Sequence, residues 1–241
     1  MHNKKKTIFL ALSFPMSVRN LLKNNFFEYL TDRYQVVVFS MMTTDTEFIK
    51  EFKRENVHFC DLKFDFKKGL FCRIIYKMHR YGDRYHFATG KKMHGAFLNR
   101  YLYKANLKDE RRTRFFGFLF NIFPKFNLWA ERYLKEQLKS TYYQKMINAF
   151  KPDLVFISHP YIDSESQLVL NAKNNHIPTI GLIHSWDNIT SKGRMHNVPD
   201  QIVVWNKIMR KEISSLYNGL IKDENIHFVG IPQHDYLFVG S

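Results

Sequence analysis

Val36-Val37-Val38-Phe39, the centre of the stretch from Tyr34 to Ser40, decides the fold. Four apolar residues in succession leave no polar face, which is the pattern of a strand buried on both sides of a parallel sheet. Working outward, residues 7–14, with Ile8-Phe9-Leu10-Ala11-Leu12 at their heart, read as another buried strand. Between the two, Val18, Leu21, Leu22, Phe26 and Leu30 recur at helical spacing, so a helix is predicted from about Ser17 to Thr31 with Ser17 as its N-cap. Thr46 to Glu55 suits a second helix and Val57 to Leu62 a third strand. Strand, helix, strand, helix, strand at this spacing is the rhythm of a doubly wound α/β sheet.

The rhythm returns after Lys151-Pro152. Leu154-Val155-Phe156-Ile157 reads as a strand ending at Ser158-His159-Pro160, followed by a helix from Ser164 to Asn174. Thr179 to Ile183 and Gln201 to Trp205 are further strands, the first ending at His184-Ser185-Trp186-Asp187-Asn188 and the second at Asn206. A helix over Lys207 to Leu216 closes at Asn218-Gly219, and Ile226 to Val229 is the last strand. The expected fold is one α/β domain over 1–241, a single Rossmann-like parallel sheet with helices on both faces.

Residues 66–150 interrupt this pattern as a basic helical insertion. They hold 19 Lys and Arg against 5 Asp and Glu, whereas the flanking stretches are close to neutral, so nearly all of the net charge of +15 sits there. An anionic partner would be met by this segment. Arg111-Arg112-Thr113-Arg114 abuts six Phe between Phe115 and Phe126. Leu134, Leu138, Tyr142, Met146 and Phe150 then step by four, predicting one long amphipathic helix from Leu128 to Phe150.

With 241 residues and 45% apolar content, the chain has enough material for a buried core, which excludes disordered and disulfide-scaffold classes. Cys60 and Cys72 are its only cysteines, consistent with a reducing, cytoplasmic setting. Lys4-Lys5-Lys6 before Thr7 to Leu12 imitates a signal peptide, but the apolar core spans six residues and Pro15 follows without a small-x-small cleavage site, so a buried first strand is the reading. No run of 18 apolar residues offers a membrane-spanning helix. Gly-rich dinucleotide and Walker loops, paired-Cys zinc spacings and His-Glu-x-x-His are all absent, so redox-cofactor, NTPase and metal readings have no motif behind them.

Position carries what motifs do not. Open α/β sheets bind ligands beyond the carboxyl ends of their strands, and the polar loops Ser13 to Asn20, Ser158 to Tyr161, His184 to Asn188, and Asn206 all fall there. His159, His184 and Asp187 are the candidates for proton transfer, since an imidazole or carboxylate at a strand end can reach a substrate hydroxyl. Arg19, Asn20, Tyr161, Ser185, Trp186, Asn188, Lys192 and Asn206 are the candidates for substrate binding. Among them Trp186 suits stacking on a sugar or base, Asn188 hydroxyl recognition, and Arg19 and Lys192 an anionic group. An Asx-turn loop around a buried Trp is the structural alternative for Ser185 to Gly193.

The run His184 to Gly193, then Pro199-Asp200-Gln201-Ile202-Val203-Val204-Trp205-Asn206 and Phe228-Val229-Gly230-Ile231-Pro232-Gln233-His234-Asp235, resembles the N-terminal half of bacterial surface-polysaccharide glycosyltransferases of the GT-B type. CDP-glycerol glycerophosphotransferases and UDP-N-acetylglucosamine 2-epimerases share that broad architecture. Val18-Arg19-Asn20-Leu21-Leu22 is similar to the opening of such proteins. The resemblance covers about 1–65 and 151–241. It implies the acceptor-side half of the enzyme, with Asp187 or His159 as general base, Trp186 as a platform, and Arg19 and Lys192 as anion contacts.

In that family a second Rossmann-like domain grips the nucleotide-sugar donor. The strand ending in Gly230-Ile231-Pro232 would lead into it, so the donor is expected on a partner domain or chain, and no donor turnover is expected from these residues alone. The acceptor would be a polysaccharide or lipid-linked sugar. The basic, Phe-rich segment suggests peripheral attachment to an anionic membrane at its inner face. Two rival readings are an epimerase-like half-enzyme and a non-catalytic module for anionic lipid, glycan or nucleic acid. No recognised nucleic-acid motif lies in the basic segment, which makes nucleic acid the weaker of those ligands.

Overall fold

The computed structural model describes residues 5–66, 69–90, 107–192, 194–217 and 219–230. Gly193, Asn218 and residues 231–235 of the stretches quoted above lie outside them. The described residues form a seven-stranded sheet, every adjacent pair parallel: β1 (Thr7–Leu12), β2 (Gln35–Ser40), β3 (Val57–Asp61), β4 (Leu154–Ile157), β5 (Thr179–Leu182), β6 (Gln201–Val204) and β7 (Ile226–Phe228). Their spatial order is β3-β2-β1-β4-β5-β6-β7. The chain builds outward from β1 to β3, then returns to the other side of β1 and builds outward again. Growth reverses between β1 and β4, which makes their shared carboxyl end the topological switch point.

The two-residue period of the strands sorts the core into two layers. Ile8, Leu10, Leu12, Val36 and Val38 meet Val18, Leu21, Leu22, Phe27, Leu30, Phe48 and Phe52 of α1 (Pro15–Leu22), α2 (Asn25–Arg33) and α3 (Thr46–Phe52). Phe9, Ala11, Val37, Phe39, Val155 and Ile157 point the other way. They meet Tyr143 and Ile147 on the helix Thr141–Phe150, and Leu168, Val169 and Ala172 on the helix Asp163–Asn174. The run Val36 to Phe39 is fully buried because both of its faces are covered.

Two predicted helices are each divided in two. The stretch Ser17 to Thr31 breaks where Asn24 donates from Nδ2 to the Asn20 carbonyl (2.6 Å) and accepts from the Phe26 amide (3.1 Å), closing α1 and opening α2. The N-cap also lies earlier than Ser17. Pro15 takes the first helical position, where its missing N–H costs nothing, and Phe14 precedes it. Leu128 to Phe150 breaks at Leu138–Ser140, where the Ser140 hydroxyl caps the following helix by accepting from the Tyr143 amide (3.2 Å) and donates to Asp65 (2.9 Å). The four-residue apolar steps run on across this break.

The chain divides into two compact units: residues 1–65, 140–184 and 197–241 around the sheet, and residues 66–139 with 185–196. The basic insertion therefore closes at Lys139, and Thr141–Phe150 belongs to the sheet. The second unit contains α4 (Leu70–Gly90), α5 (Leu107–Ile122) and α6 (Pro124–Gln137), with α7 being Thr141–Phe150 and α8 Asp163–Asn174 back in the sheet unit. α4 and α6 bury Cys72, Ile75, Ala130 and Leu134 together. No helix among the described residues is long and apolar enough to cross a membrane.

Candidate functional site

The switch point is where the sheet unit concentrates its buried polar groups. Ser13 leaves β1, and Ser158 and His159 leave β4. All three are held by Glu165, in the first turn of α8, which is fully buried. Its carboxylate accepts from the Ser13 amide (3.0 Å), the Ser13 hydroxyl, the Ser158 hydroxyl (2.9 Å) and the His159 amide (2.5 Å). Burial pushes the Glu165 carboxyl up to about 7, against the opposing pull of these four donors. One side chain thus pins the two loops that flank the switch point.

His159 lies within this network. Its Nδ1 is 3.1 Å from the Ser17 hydroxyl and 3.3 Å from that of Ser158. When Glu165 is ionised the Ser158 hydroxyl donates to it, which leaves the Ser158 oxygen to accept from His159 Nδ1–H. That arrangement favours the tautomer with its lone pair on Nε2. The imidazole meets Phe14 edge-on at 4.8 Å and lies 4.6 Å from the ring of His184.

His184 follows β5 and is buried. Desolvation lowers its pKa to about 4, so the ring is neutral near pH 7. Among the described residues its buried Nε2 has no hydrogen-bond partner, and the Ser164 hydroxyl beside Glu165 is in the same condition. Buried polar atoms left this way cost stability, and a bound water or ligand is the ordinary means of satisfying them.

The sequence candidates fall into two groups. In the sheet unit, His159 and His184 come together. Tyr161 is buried with its phenol near Tyr217, which together with burial raises its pKa far above the usual range. Asn20 is buried and accepts from Arg19 Nε (3.2 Å), while Arg19 itself is exposed. Asn206 stands after β6 as an N-cap, accepting from the Ile208 and Met209 amides at 2.9 and 3.0 Å ahead of the helix Lys207–Leu216.

The second unit holds Ser185, Trp186, Asp187, Asn188 and Lys192. Ser185 donates its hydroxyl to Asp187, and Asp187 precedes the single turn Asn188–Ser191. Asn188 is buried, Lys192 exposed, and Trp186 is 66% exposed, so it is not the buried Trp of a simple Asx-turn loop.

Sequence reasoning passed over Glu165, Ser13 and Ser17 as site residues. Ser13 and Ser17 lie in the strand-end loop Ser13 to Asn20 without being singled out there, and with the helix starting at Pro15 the Ser17 hydroxyl meets His159 in place of capping. The signal that could have found Glu165 is an acidic residue in the first turn of a helix directly after a Ser-His strand end. No known protein-family model matches the chain, and no curated protein matches its sequence.

Proposed function

We propose that the sheet unit is the acceptor-side half of a GT-B-type glycosyltransferase for surface polysaccharide, binding a sugar hydroxyl at the switch point. The observation that carries this reading is the buried, unpartnered Nε2 of a neutral His184 beside His159. A neutral, desolvated imidazole suits an uncharged hydroxyl better than an ionic group.

In this reading His184 orients the acceptor hydroxyl and His159 removes its proton through Nε2. His159 is preferred to Asp187 as the base because the Ser158–Glu165 relay fixes its tautomer and supports the imidazolium that forms. The hydroxyl oxygen then bonds to the anomeric carbon of a nucleotide-sugar. The bond from that carbon to the nucleotide phosphate breaks, and the electron pair leaves with the nucleotide. A partner domain or chain brings the donor.

The test is a glycan array of surface oligosaccharides and lipid-linked sugars. The protein is expected to bind a subset of them, with affinity reduced at least tenfold in His184→Leu. Absence of saccharide binding, or equal binding by the variant, overturns the reading.

A further inference from the structure

We propose that α5 is an interfacial anchor that lays its outer face into the headgroup region of an anionic bilayer. This rests on the second unit alone and goes beyond the acceptor site. At 100° per residue, Arg111, Phe115, Phe118 and Ile122 fall within about 60° of arc on one face of the helix. The opposite face, Thr113, Gly117 and Phe120, is the buried one. On the outer face Phe115, Phe118 and Ile122 are 57%, 60% and 51% exposed. From Phe115 to Ile122, α5 is thus apolar on both of these faces. A soluble helix normally turns charge to water, and a contiguous exposed apolar stripe marks a contact site.

Charge identifies the occupant. Exposed Arg111, Arg112 and Arg114 stand at one end of the stripe and exposed Lys125 beyond the other, with Arg114 paired to Glu110 at 3.0 Å. Residues 66–139 of this unit hold 18 basic against 5 acidic residues. A second copy of so cationic a surface would be repelled, whereas an anionic bilayer offers apolar depth and negative headgroups together. Sixteen residues make a helix about 24 Å long, too short to span the hydrocarbon core, so α5 would lie in the plane of the interface.

Co-sedimentation of the whole protein with phosphatidylcholine vesicles, with and without phosphatidylglycerol, tests the proposal. Binding is expected only with the anionic lipid, weakening as salt is raised. Each basic residue near such a surface contributes about fivefold in partitioning, so Arg111→Ser, Arg112→Ser and Lys125→Ser together should lower it roughly a hundredfold. Phe115→Ser with Phe118→Ser should abolish it while leaving the helical circular dichroism unchanged, since both side chains are exposed. His184→Leu should bind vesicles as the native protein does, which separates this outcome from that of the acceptor reading. Equal partitioning onto both vesicle types, no partitioning at all, or self-association through the Phe residues in place of vesicle binding overturns the proposal.

Discussion

At the scale of single residues, Glu165 and His184 impose opposite pH dependences on stability. The Glu165 carboxyl is raised to about 7 from 4.5, so the native state keeps a proton that the unfolded chain releases earlier. Its contribution is present below pH 4.5 and is lost as pH rises toward 7. His184 is lowered to about 4 from 6.5, so the unfolded chain takes up a proton that the native state refuses, and stability is gained as pH rises from about 4 to 6.5. Each effect is on the order of 3 kcal/mol across its window, and in the native protein they largely cancel. Urea unfolding over pH 4.5–6.5 should therefore show stability climbing with pH in Glu165→Gln and falling with pH in His184→Asn. Parallel curves for both variants and the native protein would contradict these environments.

Helices and strands show where sequence periodicity succeeds and where it fails. β1 and β2 were legible because strands covered on both faces must be largely apolar. The breaks at Asn24 and Ser140 were not legible, because a polar side chain that takes over a backbone bond leaves the apolar phase undisturbed. Tyr143 shows what then holds α7 in place. Its hydroxyl donates to the Lys63 carbonyl (2.7 Å) and accepts from the Lys63 amide (3.3 Å), tying the helix to the chain just after β3. Tyr143→Phe should cost about 1–2 kcal/mol in chemical denaturation; an unchanged midpoint would show that the tie contributes nothing.

α4 and α5 offer a second check on packing. A Cβ on Gly82 would collide with the buried ring of Phe120. Gly82→Ala gains about 1 kcal/mol of helix propensity, but overpacking of about 1–3 kcal/mol should outweigh it. The expected thermal midpoint is lower than native, and a rise would mean that the two helices are not so closely set.

For the whole molecule, the architecture followed from rhythm: parallel strands separated by helices dictate a sheet covered on both faces, and a charge-dense interruption marks a separate unit. The order β3-β2-β1-β4-β5-β6-β7 supplies what rhythm cannot, the location of the switch point. His159 and His184 were named from their strand ends, but their meeting needs β4 and β5 to be neighbours, which no local pattern encodes. Glu165 carries a local mark, its place in the first turn of a helix after a Ser-His strand end, but its partners Ser13 and Ser158 are brought to one place only by the pairing of β1 with β4.

In the proposed function the neutral His184, beside His159 of the switch point, receives a sugar hydroxyl. Histidine-selective 15N spectra, recorded from pH 8 to 4 with and without an array-positive saccharide, test it most directly. The His184 ring is expected to stay neutral down to about pH 4, and its Nε2 resonance to move when the saccharide is added. A His184 ring that titrates near pH 6.5 and does not respond to saccharide would contradict it.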